Sequence, residues 1–294
     1  MFRSCLICTD LSDGLYRFVE FVPDLAANGL TKIVFLHSVP VWTEGNVPRI
    51  DTDKIEAAKA RLSEALANVP ETVEVEIEVP SGRAAETIPN LAKQHQSEVI
   101  LTGTPIRSLL QEKIFGSTSL ELAKSTSTPV MILRPQLIST YTCEELKLRC
   151  RNLWRYLLIP YNDGNSAKYL IERIKDYASD RPENSLDQCL LLWAIEETSG
   201  RRGVPTEYRV EEANKRIAEV KADLEDHLKL QVNTKVSIGN PLMEILETAV
   251  TEDISAIATS YVTRGALLDW TAPSFADEIL RNSWFPVLFF SPEQ

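Results

Sequence analysis

The residues best placed to do chemistry are Leu101-Thr102-Gly103-Thr104-Pro105-Ile106, followed by Gly116-Ser117-Thr118-Ser119. An apolar strand runs into the first glycine and a helix starts at the second, where an open α/β sheet presents its ligand crevice. Gly116 at a helix N-terminus lets backbone N–H groups approach an anion, and the helix dipole favours negative charge there. Ser117 and Thr118 add hydroxyl donors. This is the chemistry of phosphate binding, although the same Gly-Ser-Thr is also a sound helix cap with no ligand. The residues alone leave both readings open.

Other apparent signals are weaker. Cys5-Leu6-Ile7-Cys8 spans a predicted strand, where residues three apart point to opposite faces, so it serves neither a metal nor a disulfide. The histidines, His37, His95 and His227, show no ligand spacing, and no Ser-His-Asp or Cys-His constellation emerges. The acidic stretch Glu71 to Glu78 reads as the solvated face of an edge strand. No catalytic or metal-ligating set is expected.

The elements that must position the loop alternate strand and helix. Cys5 to Thr9, Ile33 to Leu36, Val99 to Thr102 and Pro129 to Leu133 are apolar runs suited to parallel strands buried on both faces. Val73, Val75, Ile77 and Val79 alternate with glutamates, so this strand belongs at an edge. Between them, Leu15, Phe18, Val19, Val22 and Leu25 recur at helical spacing before Gly29, and Asp51-Thr52 caps a helix carrying Ile55, Ala58, Leu62 and Leu66. Strands separated by helices imply right-handed crossovers and a mostly parallel sheet.

The same succession then repeats. Strands at Tyr156 to Tyr161, Cys189 to Ala194, Thr234 to Ile238, Ile254 to Ala258 and Pro286 to Phe290 alternate with helices. Landmarks such as Asp10 and Asn162, Gly82 and Gly239, or Pro129 and Pro286 are offset by roughly 150–157 residues, which is the signature of duplication. The expected organisation is an α/β domain over residues 1–135, a linker helix within 136–154 opened by a Thr142-Cys143-Glu144-Glu145 capping box, and a second domain over 155–294.

Bulk properties agree. The 294 residues suffice for two domains, and 44% hydrophobic with 25% charged residues suits folded cores. A net charge of −11 argues against an extended nucleic-acid contact. No apolar run reaches the roughly 18 residues of a membrane span, and the five scattered cysteines suit a reducing compartment. The expectation is a cytoplasmic protein with no nucleic-acid or membrane partner.

Thr9-Asp10-Leu11-Ser12, Phe35-Leu36-His37-Ser38-Val39 and Gly103 spaced before Gly116-Ser117 together resemble the universal stress protein family, over both halves of the chain. The resemblance implies two five-stranded parallel sheets of order 3-2-1-4-5 with helices on both faces. It also implies that the fifth strands, Pro129–Leu133 and Pro286–Phe290, pair as an intramolecular pseudo-dimer, with further homo-oligomerisation open. It further implies an adenine nucleotide, ATP with or without Mg²⁺, in the first domain. Asp10 would contact the adenosine part and Ser38 would lie where backbone groups hold the base. Gly103 and Thr104 would line the loop, and Gly116, Ser117 and Thr118 would hold the phosphates.

The chain departs from the family pattern at named positions. The family's second glycine falls on Ile106, whose side chain intrudes where the backbone should approach phosphates; Arg107 and Lys113 could compensate. In the second half Asn162 replaces the aspartate, Thr259 the first glycine and Val262 the second, while Pro273-Ser274 stands against Gly116-Ser117. This copy is not expected to bind ATP in the family's manner. It either fills its crevice with apolar side chains or accepts a more apolar ligand. The expected function is a stress-response regulatory protein binding nucleotide in its first domain and an unidentified protein partner. The rivals are a nucleotide-independent scaffold or apolar-ligand carrier and, last, a weak ATPase using Asp10 or Asp13.

Overall fold

The apolar runs form the strands they predict. The computed structural model describes residues 1–12, 14–44, 47–103, 122–123, 126–183, 185–196, 205–260 and 275–291. They group into two compact units, Phe2–Arg151 and Asn152–Gln294, the latter with Met1.

In the first unit the parallel strands are β1 (Ser4–Cys8), β2 (Lys32–Leu36), β5 (Glu74–Glu78), β6 (Val99–Gly103) and β7 (Val130–Leu133). Their spatial order is β5-β2-β1-β6-β7, which is 3-2-1-4-5 counted along the sheet strands. Central strands are closed to solvent: Leu6, Ile7, Ile33, Val34 and Ile100 have no exposed surface. The glutamate-rich β5 pairs only with β2 among the described strands, as its alternating pattern predicts. A short antiparallel hairpin, β3 (Trp42–Glu44) with β4 (Val47–Arg49), follows β2; two strands of three residues each carry too little periodicity to be read from sequence.

The helix predicted from Leu15 to Leu25 forms in two pieces. Gly14–Phe21 is a 3₁₀ helix and α1 (Val22–Ala27) starts afresh with Pro23 in its first turn. Proline has no N–H to continue a hydrogen-bond ladder from the preceding turn, which fixes the break there. The five apolar residues are nonetheless all buried. Gly29, at φ 99°, closes α1: its N–H donates to the Ala26 carbonyl and that of Leu30 to Leu25. Asp51 caps α2 (Thr52–Leu62) by accepting from the Lys54 N–H, and α3 (Ala84–Gln94) follows β5.

After β7 come α4 (Pro135–Thr140) and α5 (Cys143–Arg151). The predicted capping box is present, with Thr142 and Glu145 exchanging side chain-to-backbone hydrogen bonds of 2.7 and 3.3 Å. These helices pack on the first unit: Leu146 and Cys150 are buried, and Arg151 Nε donates to Asp24 at 2.6 Å. Cys5, Cys8, Cys143, Cys150 and Cys189 are all free, and burial pushes the Cys5 thiol well above its ordinary value, as suits an inert core residue.

The second unit repeats the plan. Its strands β8 (Tyr156–Pro160), β9 (Gln188–Ile195), β10 (Gln231–Ile238), β11 (Ala256–Ser260) and β12 (Val287–Phe290) run parallel in the order β10-β9-β8-β11-β12, again 3-2-1-4-5. Its helices are α6 (Asn165–Ala178), α7 (Thr206–Leu228), α8 (Pro241–Thr251) and α9 (Phe275–Asn282). No described helix is long and apolar enough to cross a membrane.

The duplication extends to backbone stereochemistry. Positive φ recurs at corresponding residues: Leu11 and Asp163 (63° and 60°), Gly82 and Gly239 (149° and 159°), Gln96 and Asp253 (53° and 52°). Loop hydrogen bonds recur with them, Gly82 N–H to Val39 O beside Gly239 N–H to Ile195 O, and Glu98 N–H to Ser4 O beside Ser255 N–H to Tyr156 O. A left-handed residue has few substitutes in the path it gives the chain, so these matched pairs report common construction where side chains have diverged.

Candidate functional site

In a 3-2-1-4-5 sheet the strand order reverses between the first and fourth strands, and the crevice beyond their C-terminal ends is where open α/β sheets bind ligands. In the first unit that crevice lies beyond β1 and β6, which pair in register with Cys8 beside Thr102. Asp10 follows β1 and Gly103 ends β6, while Ser38 follows the adjacent β2. Three predicted residues far apart in sequence therefore meet at one edge of the sheet.

Each is held by its surroundings. The Asp10 carboxylate accepts from the Ser12 N–H at 2.8 Å and hydroxyl at 2.9 Å, while the Leu11 N–H donates to Thr9 Oγ1 at 3.0 Å. These bonds hold Leu11 in the left-handed conformation that a leucine seldom adopts, a local strain of the kind kept at sites. Ser38 Oγ lies 2.6 Å from Thr87 Oγ1 on α3, and His37 Nδ1 lies 2.9 Å from the Thr9 carbonyl. His37 and Thr87 thus tie the ends of β1, β2 and α3 together; the sequence gives no spacing that would pair them. Arg83, at the N-cap of α3, makes no side-chain cap, so the first N–H groups of that helix stay uncapped by it. Gly103 leaves its strand end without a side chain. Thr104, Gly116, Ser117 and Thr118, with Ile106, Arg107 and Lys113, lie outside the described residues, as does Asp13.

The corresponding crevice of the second unit opens into a cavity of about 500 Å³. Strand register sets the equivalences. Leu36 pairs with Glu78 and Leu192 with Lys235, so Ala194 stands where Ser38 does and Trp193 where His37 does. Leu101, Thr102 and Gly103 correspond to Ala258, Thr259 and Ser260. Gly103 is therefore replaced by Ser260 and not by Thr259, which matches the equally buried Thr102; the loop shift between the copies displaced the sequence alignment by one residue. Ser260 Oγ donates to the Ser166 carbonyl at 2.9 Å, placing a hydroxyl where the first unit has bare backbone.

Around this cavity Asn162 Oδ1 accepts from the Gly164 N–H at 3.1 Å, repeating the turn that Asp10 makes without its charge. The next residue, Asp163, holds the left-handed position of Leu11 and is bound by Tyr161 Oη, Lys168 Nζ and Arg216 Nη1 at 3.2, 2.9 and 2.5 Å. The Lys168 ammonium foremost holds the Asp163 carboxyl below its ordinary value, while burial and then Asp163 push the Tyr161 phenol up to about 12. Tyr161 and Trp193 meet edge to face at 5.7 Å, in the place of the Thr9 and His37 contact. Asn240 Oδ1 accepts from the Leu242 and Met243 N–H groups at 3.1 and 3.2 Å, so α8 is capped where α3 is not. Asn240-Pro241 is a legible helix start; Tyr161, Trp193 and the cavity carry no motif.

A third cluster lies on the edge strand of the first unit. The buried His95 places Nδ1 3.3 Å from Glu76 and Nε2 3.0 Å from Glu78, ligand-type atoms all within 4.8 Å of one another. Lys32 Nζ sits 2.7 Å from Glu76 and 3.3 Å from Glu74. The acidic face is thus not merely solvated, because His95, 17 and 19 residues away along the chain, packs onto it. The Lys32 ammonium thus shares the Glu76 carboxylate with the His95 ring.

Residues 1–134 match the universal stress protein family. Among solved structures, a universal stress protein from Archaeoglobus fulgidus is 16% identical, with 98% of each chain covered and a TM-score of 0.66. The functionally unknown protein PA1789 from Pseudomonas aeruginosa is 15% identical over 99% of this chain and 93% of its own, with a TM-score of 0.60. At these identities the two structures establish the shared fold. Comparison with curated proteins gives no match.

Proposed function

We propose, from the match of residues 1–134 to the universal stress protein family, that this chain is a regulatory protein binding an adenine nucleotide, ATP, in the first unit only. One observation carries the reading: Asp10, Ser38 and Gly103 converge on the C-terminal edge of β1, β2 and β6 where the strand order reverses. The residues fit a nucleotide. A carboxylate fixed by Ser12 suits ribose hydroxyls, the strand end at Gly103 admits close backbone approach, and uncapped N–H groups at α3 add positive dipole beside Arg83. Thr104, Gly116, Ser117 and Thr118 would complete the phosphate cradle, with or without Mg²⁺.

Binding is favoured over turnover because Asp10 is already an acceptor for both Ser12 donors. The test is direct. Protein purified from cells is denatured, and the supernatant is run on anion exchange for released nucleotide; ATP is then added to fresh protein in a thermal melt. Absence of nucleotide together with an unmoved melting temperature sinks the reading. Phosphate release over hours with Mg²⁺ would restore the ATPase alternative. Pairing of the fifth strands within one chain, which the family resemblance implies, is a separate proposal, tested by a cysteine cross-link between Leu133 and Phe290 positions in monomeric protein.

A further inference from the structure

We infer that the crevice of the second unit binds an organic cation, a protonated amine carried on an apolar body, and rejects polyphosphates. The inference concerns a different site from the proposed nucleotide crevice and stands whether or not ATP binds there.

Size comes first. A preformed cavity of about 500 Å³ at the point of strand reversal falls within the range that holds small organic ligands. Its floor is aliphatic: Leu170 and Ala167 from α6, Leu192 and Ala194 from β9, and Ile245 from α8. Ala194 replaces the Ser38 hydroxyl of the first unit, and Phe275 lines the wall. At the Ala194 position a hydroxyl that would greet phosphate has become apolar surface.

Charge then selects among apolar ligands. Glu196 and Glu278 both line the cavity, and no lysine or arginine is among the described residues that do. Neither carboxylate has an ion-pair or hydrogen-bond partner among the described residues; Arg209 donates to the backbone carbonyl of Glu196, not to its side chain. The nearby cations Lys168 and Arg216 are bound to Asp163. Asn240 occupies the position of Arg83 and spends its amide oxygen on the α8 N–H groups that could otherwise meet an anion. Two carboxylates on one cavity, without an ion-pair partner among the described residues, favour an ammonium group and disfavour phosphate, since like charges in a partly desolvated cleft are unfavourable.

Three probes that share a naphthalene fluorophore and differ in charge test this on the full chain: dansylcadaverine (cation), dansylamide (neutral) and dansylglycine (anion). Fluorescence titration is expected to show saturable dansylcadaverine binding at least about tenfold tighter than dansylglycine, a ratio worth about 1.4 kcal/mol. The double variant Glu196→Gln/Glu278→Gln should weaken dansylcadaverine at least fivefold and leave dansylamide within twofold. Ala194→Phe should remove binding of all three by filling the floor, and millimolar ATP should displace none of them. Equal affinities, preference for the anion, no saturable binding, or displacement by ATP would each overturn the inference, as would a folded Ala194→Phe protein that still binds. If Ala194→Phe does not fold, the glutamine pair on the rim decides the question alone.

Discussion

The two crevices share a backbone and differ in what lines it. Asp10 and Asn162 make the same turn, Leu11 and Asp163 share a left-handed conformation, and Gly82 and Gly239 close the same loop. Yet Ser38 becomes Ala194, His37 becomes Trp193, Gly103 becomes Ser260 and Arg83 becomes Asn240. The first crevice keeps a carboxylate, a hydroxyl pair and a bare strand end; the second exchanges them for aromatic, aliphatic and acidic groups around a cavity. Duplication preserved the frame because the turns depend on conformation, which few residues satisfy, whereas the lining depends on contacts that any side chain of suitable size can remake.

The largest break in the comparison should come from Gly116→Val. If the Gly-Ser-Thr helix start holds phosphates, a β-branched side chain there blocks the backbone N–H groups, and ATP affinity by calorimetry should fall at least about a hundredfold. Asn162→Ala, in the opposite crevice, should stay within about twofold. Equal losses in the two variants would end the claim that the units are functionally unequal.

A milder change makes the first crevice resemble the second. Asp10→Asn preserves the Asx turn, as Asn162 demonstrates, but removes the charge. ATP affinity is expected to drop about tenfold, the loss of one charge-assisted hydrogen bond. Circular dichroism should report an unchanged fold, and an unchanged affinity would remove Asp10 from the site. Ser38→Ala copies Ala194. It frees Thr87 Oγ1 from its 2.6 Å partner, and the expected cost is about threefold in affinity through loosening of α3 against β2. A larger effect than that of Asp10→Asn would reverse their assigned importance.

How much of this was legible in sequence follows from which physics each feature obeys. Strands such as Val99–Gly103 and Val130–Leu133 announce themselves because burial on both faces demands an unbroken apolar run. Pro23 hid the division of the first helix, since the apolar spacing of Leu15 to Leu25 satisfies both the 3₁₀ and the α segment. Asp10, Ser38 and Gly103 could be nominated by family resemblance, but their meeting depends on strand order, which is a non-local property. Thr87, His37 and His95 were unreadable for the same reason: each finds its partner across 17 to 49 residues. The second cavity was foreseen only as one of two alternatives, because whether apolar side chains fill a space or line it depends on their volumes and rotamers, not on their hydrophobicity. The one-residue slip between Thr259 and Ser260 shows the limit of aligning copies by landmarks when the loops between them differ in length.

The smallest expected effect sharpens the comparison at one position, Leu11 against Asp163. Leucine does not titrate, whereas Asp163 is ionised against Lys168 and Arg216 and its folded-state pKa lies below the unfolded value of about 3.9. A depressed carboxyl contributes stability that is present above the unfolded pKa and lost as pH falls through the folded one. Stability of the second unit should therefore decline below about pH 4 by an increment that Asp163→Asn removes, of the order of 0.5 kcal/mol because the ion pairs are partly exposed and screened. Tryptophan fluorescence during urea unfolding is a suitable probe, since Trp154, Trp193, Trp270 and Trp284 all lie in Asn152–Gln294 and only Trp42 in the other unit. The difference between wild type and Asp163→Asn should shrink as the pH is lowered from neutral and as salt is raised. A difference that stays constant across both would mean that Asp163 serves its turn through shape alone, as Leu11 does, and that its charge has no part in separating the two units.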